Sequence, residues 1–155
     1  MKGNDKVIAT LNLLLSDELT AVSQYMVHSE MCANWQFDKL HGAIEKRAID
    51  EMKHAEKHIA RILFLEGIPV VSNLKKMMIG PDVATQLAYD KTAEIEAIQA
   101  YNEAIRLAVE HGDNGTRAML EGILVDEEAH LDWLEAQLDQ ISQLGIQNYL
   151  TEQVG

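Results

Sequence analysis

At 155 residues and 47% hydrophobic, the chain is long enough for one domain with a real core and too apolar to be disordered. Its formal net charge of −12, from 25 acidic against 13 basic side chains, works against binding nucleic acid by neutralising phosphates. The single cysteine, Cys32, excludes an internal disulfide or a Cys-x-x-Cys motif and fits a reducing, cytoplasmic setting, and no apolar run is long enough to span a membrane.

With only two prolines and long stretches of Ala, Leu, Glu, Gln and Lys, the expected fold is all-α in a single domain, residues 1–155. Helix A is expected from Asp5 to Asn34. Its apolar start, Val7 to Leu15, is not read as a secretory signal, because Asn12 interrupts it, Asp17 and Glu18 close it and no small-residue cleavage site follows. Helix B is expected from Asp38 to Glu66, ended by Gly67-Ile68-Pro69. Helix C should follow Gly80-Pro81-Asp82 and reach about His111, with Gly112-Asp113-Asn114-Gly115 as a turn before helix D. Helix D should run to Leu144, and a break at Gly145 should precede a short fifth helix from Ile146 to Glu152. The tight turns make A–B and C–D antiparallel hairpins. The connection from Gly67 to Asp82, about 16 residues, is long enough to cross the length of the bundle, which is the ferritin-like rather than the up-down-up-down arrangement.

The chain repeats itself chemically. Glu18, Glu51 and His54 recur as Glu94, Glu127 and His130, each 76 positions on, and Tyr25/Tyr101 and Asp50/Asp126 share that offset. One Glu-x-x-His means little; two, each accompanied by an isolated Glu at matching distance, form the ligand set of a dinuclear carboxylate site in a four-helix bundle. Helical spacing places all six on apolar stripes: Leu11, Leu15, Glu18, Val22 and Tyr25 on A; Ile44, Ala48, Glu51, His54 and Ile62 on B; Leu87, Asp90, Glu94, Ala97 and Tyr101 on C; Leu120, Ile123, Glu127, His130 and Leu134 on D. Four buried carboxylates need compensation, and two divalent cations supply it. Oxygen-rich ligation with one imidazole per metal suits iron or manganese. Tyr25 and Tyr101 are candidate hydrogen-bond partners of the carboxylates. His28, His41, His58 and His111 have no such repeat and are read as surface or accessory residues.

With that constellation in view, the chain resembles a bacterioferritin over nearly its whole length. The resemblance rests on Met1-Lys2-Gly3, Asp50-Glu51-Met52-Lys53-His54-Ala55-Glu56, Arg61-Ile62-Leu63-Phe64-Leu65-Glu66-Gly67, Asp126-Glu127-Glu128-Ala129-His130-Leu131-Asp132-Trp133-Leu134 and Gly145-Ile146-Gln147-Asn148-Tyr149-Leu150. It implies a hollow shell of 24 subunits built from two-fold dimers, which stores iron and oxidises Fe(II) with O2 or hydrogen peroxide at an intrasubunit di-iron site. By that resemblance Glu18, Glu51, His54, Glu94, Glu127 and His130 are the ferroxidase ligands, with Glu51 and Glu127 bridging. Met52 matches the methionine that ligates b-type haem between paired subunits, and a ferredoxin is the candidate reductant for iron release. Independently of the resemblance, Ile49, Met52, Ile59 and Leu63 form a second apolar stripe on helix B, which reads as a subunit interface.

Some bacterioferritins carry a histidine where this chain has Lys46, pairing with the match to Asp50 as an inner-surface iron site; lysine cannot fill that role. Asn34, Glu66, Asp132 and Asn148 match residues lining an intersubunit channel and are candidates for iron entry. The alternative function is a haem-binding electron-transfer assembly whose carboxylate site holds metal only for structure. A rubrerythrin-like peroxidase would need a four-cysteine iron site, which Cys32 alone cannot make, and mini-ferritins lack the short helix after helix D.

Overall fold

The computed structural model describes residues 1–155 as five helices: α1 (Asp5–Asn34), α2 (Asp38–Phe64), α3 (Val83–Glu110), α4 (Asn114–Leu144) and α5 (Ile146–Thr151). Three of the long helices begin where a short polar side chain accepts an otherwise unpaired backbone N–H. Asn4 Oδ1 takes Lys6 N–H at 2.8 Å, Asp82 takes Thr85 N–H at 2.8 Å, and Asp113 takes Thr116 N–H at 3.0 Å. Expected and observed boundaries differ at the α3–α4 turn and at the end of α2. Asn114 and Gly115 belong to the first turn of α4, and a Cβ on Gly115 would stand 2.6 Å from Arg61 Nη2. That glycine therefore lets the α2 arginine reach across; it does not make the turn. At the end of α2, Leu65 and Glu66 have left the helix, and Glu66 adopts a left-handed φ of 64°.

Side-chain pairings fix the topology. Asn4, Glu18, Tyr25 and His28 meet His111, Tyr101, Glu94 and Asp90, so α3 runs antiparallel to α1. Arg61, His54 and Glu51 meet Asp113, Asp126 and His130, so α4 runs antiparallel to α2. With both hairpins antiparallel, the four helices read up, down, down, up, the ferritin-like order that a single long crossover permits. The helix pattern and this order match expectation.

The crossover from Gly67 to Asp82 contains no helix or strand. Its backbone amides must still find partners, and α1 supplies them. Asn12 Oδ1 accepts Val70 N–H (2.8 Å), Thr20 Oγ1 accepts Lys75 N–H (2.9 Å), Gln24 Oε1 accepts Met78 N–H (2.9 Å) and His28 Nε2 accepts Gly80 N–H (3.0 Å). These α1 residues recur at multiples of four, on one side of the helix. The crossover is thus stitched along α1.

His28 corrects one sequence expectation. It is fully buried, as is His58, so neither is a surface residue. Because Nε2 accepts from Gly80, the ring proton sits on Nδ1, which donates to Asp90 Oδ1 at 2.9 Å. His58 lies 2.6 Å from Tyr101 Oη, as an accessory to the polar layer.

The apolar core is in two blocks. One packs Val7, Leu11, Leu15, Ile62, Leu120 and Ile123 near the start of α1; the other packs Cys32, Leu40, Ile44, Leu87, Leu134 and Tyr149 near its end. α5 folds back so that Tyr149 is buried and donates to Gln137 Oε1 at 2.7 Å. Each fully buried aliphatic side chain contributes about 1.5–3 kcal/mol. Between the blocks lies a layer of carboxylates and imidazoles.

Candidate metal centre

All six residues singled out by the repeat occupy that layer, and all are buried. Glu18, Glu51, His54 and Glu127 bring ligand atoms within 4.8 Å of one another, and Glu51, Glu94, Glu127 and His130 do the same. Glu51 and Glu127 belong to both groups. The arrangement is therefore two adjoining pockets, each with one imidazole and one terminal carboxylate, joined by two shared carboxylates. The i, i+3 spacing of each Glu-x-x-His puts its two donors on the same side of the helix.

The imidazoles are held in matching orientations. His54 Nε2 lies 2.9 Å from Asp126 Oδ2, and His130 Nε2 lies 3.2 Å from Asp50 Oδ2. A carboxylate accepts, so Nε2–H donates in both cases and Nδ1 faces inward, where a metal would take the place of its proton. Around His54 Nδ1 stand Glu127 at 3.0 Å, Glu51 at 3.5 Å and Glu18 at 3.7 Å. Around His130 Nδ1 stand Glu51 at 3.0 Å and Glu94 at 3.5 Å. Each aspartate precedes a glutamate on its own helix and orients the histidine of the facing helix. Asp126 has no role assignable from spacing alone, but the 76-residue offset it shares with Asp50 is the signal in the sequence that points to it.

The tyrosines behave as expected. Tyr25 Oη donates to Glu94 Oε1 at 2.8 Å, and Tyr101 Oη makes a short bond to Glu18 Oε1. Burial, followed by the adjacent carboxylates, raises both phenols well above their ordinary range, so they stay donors.

The electrostatics show what the layer lacks. Burial raises Glu18 well above the usual carboxylate range, with Glu51 adding to it, and burial pushes Glu127 up to about 9. Glu94 goes the other way: burial opposes its charge, but hydrogen bonding to His130 and Glu127 outweighs it and lowers the carboxyl. Burial also opposes the imidazolium ions, yet Glu127, Glu18 and Glu51 raise His54, and Glu51 and Glu94 raise His130 to about 9. Without cations, protons carry the compensation. Glu18 Oε2 and Glu94 Oε2 still have no hydrogen-bond partner despite being buried. Unpartnered buried carboxylate oxygens are costly, and two divalent cations would satisfy them while displacing those protons.

The other expected residues lie elsewhere. Met52 is 45% exposed on α2, beside the exposed Ile49 and Leu63, and no element of the chain covers that face. Asn34, Glu66, Asp132 and Asn148 are all exposed, but Asn34 and Glu66 lie at opposite ends of the α1–α2 hairpin, so one chain does not bring the four together. Lys46 is exposed near Asp50, in a cavity that also touches His130 and Trp133.

The sequence matches the Ferritin-like domain over residues 8–144. It is 41% identical to a bacterioferritin of Rhodobacter capsulatus, over 96% of this chain and 92% of the relative. It is 39% identical to a bacterioferritin of Mycolicibacterium paratuberculosis, over 96% and 94%, and 41% identical to a bacterial ferritin of Synechocystis, over 99% of both chains. With the ferritin-like domain matched almost end to end and full-length bacterioferritins at this identity, the chain belongs to the bacterioferritin family.

Proposed function

We propose that this protein stores iron and that its buried centre is a ferroxidase. The observation that carries the reading is the pair of adjoining pockets sharing Glu51 and Glu127, with buried carboxylate oxygens left unpartnered. Glu18, Glu51 and His54, with Glu127, would hold one Fe(II); Glu94, Glu127 and His130, with Glu51, would hold the other. Hard carboxylate donors favour the trivalent product. The paired substrate ions give up one electron each, and O2 takes two electrons and two protons to leave as hydrogen peroxide. With hydrogen peroxide as oxidant, the same two electrons and two protons yield two waters. The chain's part is to place both ions within reach of one oxidant molecule, to hold the imidazoles through Asp50 and Asp126, and to release protons as metal enters.

Family membership supports a hollow multi-subunit shell, which we take as 24 subunits built from two-fold dimers, with a cytoplasmic location and a ferredoxin as reductant. Met52 fits a haem ligand on one observation: its thioether is presented on an apolar face that no part of the chain covers. A second copy placed there would supply a matching Met52. A b-type haem held this way would provide a one-electron redox centre at the dimer interface.

Anaerobic titration of metal-free protein with Fe(II), followed by admission of O2, tests the centre. Rapid oxidation should saturate at about two irons per chain, and Glu18→Ala should assemble yet lose the fast phase. Full initial rate in that variant would refute the assignment. Met52→Leu should abolish the haem absorbance while leaving the fast phase intact; loss of oxidation with haem would instead favour a haem-centred electron-transfer role.

A further inference from the structure

The 76-residue repeat breaks beside the metal centre: Glu18 and Tyr101 in one half correspond to Glu94 and Tyr25 in the other, but His58 corresponds to Leu134. Leu134 packs in the same apolar block as Tyr25, so the fold does not itself demand an imidazole at this place. Yet His58 is fully buried, with its ring stacked on that of Tyr101 and Nε2 2.6 Å from Tyr101 Oη. Burial, aided by the charges of His54 and Lys57, holds the imidazole down to about 3, so it is neutral and has one N–H. Tyr101 gives its hydroxyl proton to Glu18 Oε1, so that N–H is on Nε2 and donates to Tyr101. Nδ1 is left buried with no partner. A leucine would carry no such cost.

The glutamates of the two halves differ accordingly. Glu18 gives Oε1 to Tyr101 and turns Oε2, which has no hydrogen-bond partner, toward His54 Nδ1 at 3.7 Å. In Glu94, whose tyrosine has no imidazole behind it, a single oxygen does both: Oε1 takes the Tyr25 proton at 2.8 Å and stands 3.5 Å from His130 Nδ1. We propose that His58 is a positioning residue of the metal centre: by donating to Tyr101 it directs the phenol proton onto Glu18 Oε1 and so reserves Oε2 for the ion. The bonds run from α2 through α3 to α1, and each link strengthens the next. The inference rests on the reading of the six residues as a metal centre, and it makes the two pockets unequal.

Titration of metal-free, assembled protein with Co(II), followed by the visible absorption of the bound ion, tests this without any oxidation step. In His58→Leu one of the two ions should bind about tenfold more weakly. The melting temperature of the metal-free variant should stay level or rise, because a buried, unpartnered nitrogen has gone. A residue that only packs would not move affinity and stability in opposite directions. Tyr101→Phe should show the same loss of affinity, and adding His58→Leu to it should cost nothing further. His58→Gln, which keeps an N–H to offer Tyr101, should recover the affinity. Wild-type affinity in His58→Leu, or equal losses in the leucine and glutamine variants, would overturn the positioning role. Where leucine also lowers the melting temperature, the double variant decides: a loss beyond that of Tyr101→Phe alone would overturn it. A wild-type protein that takes up no Co(II) would overturn the metal-centre reading itself, an outcome distinct from uptake at unchanged affinity.

Discussion

Replacing His28 by alanine tests how the crossover is held. The ring is fully buried and makes two hydrogen bonds, one from Gly80 N–H and one to Asp90 Oδ1. Alanine strands the Gly80 amide, which costs about 1–3 kcal/mol, and removes one donor from a buried carboxylate, which costs about 1.5–3 kcal/mol. Asp90 keeps its second donor, Gln24 Nε2 at 2.9 Å, so the charge is not wholly abandoned. The combined loss is about 4 kcal/mol. In a domain of this size that lowers the melting temperature by roughly 8–16 °C. Glutamine at the same position can both accept and donate, and should recover part of the loss. Thermal unfolding gives the total, and amide hydrogen exchange gives the location: Gly80 and Met78 should lose protection before amides in the α2–α4 contact. A melting point within about 2 °C of wild type, with Gly80 protection unchanged, would refute the reasoning.

Asp113 caps α4 and binds Arg61 Nη2 at 2.8 Å; burial opposes its charge, but Thr116 and Arg61 together hold it below the usual carboxylate range. Its stabilisation is therefore present above the ordinary aspartate value of about 3.9 and lost as pH falls through the lower folded value. Asp113→Asn should be less stable at neutral pH, and the gap should narrow as pH falls below the ordinary aspartate value of about 3.9 in parallel melting curves; a constant gap would mean the charge contributes nothing. Gln36, between α1 and α2, holds a φ of 68°. Gln36→Gly should raise the unfolding free energy by about 0.5–1 kcal/mol once the entropy cost of glycine is deducted from the relieved strain, seen as a higher denaturation midpoint, and an unchanged or lower midpoint would show the turn to be unstrained.

What was legible in the sequence follows from periodicity. Ligands embedded in apolar stripes could be placed facing inward, and the 76-residue offset paired them across hairpins before any coordinates. The stripes were right in kind, although Val22 and Ala97 turn out only half-buried. Contacts set by the relative sliding of helices were not legible. Asp50 could be placed beside Glu51 by counting, but that it addresses His130 across the bundle depends on how α2 and α4 are registered. His28 escaped because Asp90 and Gly80 become its partners only once the crossover is laid along α1. Gly115 looked like a turn residue because nothing local reveals an arginine arriving from α2.

The shared carboxylates also bear on how the two halves of the molecule stay together. Each pocket draws three donors from one hairpin and borrows the fourth, Glu127 or Glu51, from the other. On the proposed reading, the metal centre is thus a fastener across the seam between the two hairpins, set where their shared apolar packing is interrupted. Loading it should do more than enable chemistry: it should merge two docking units into one cooperative body, so that an empty subunit opens along this seam first and a filled one opens only as a whole.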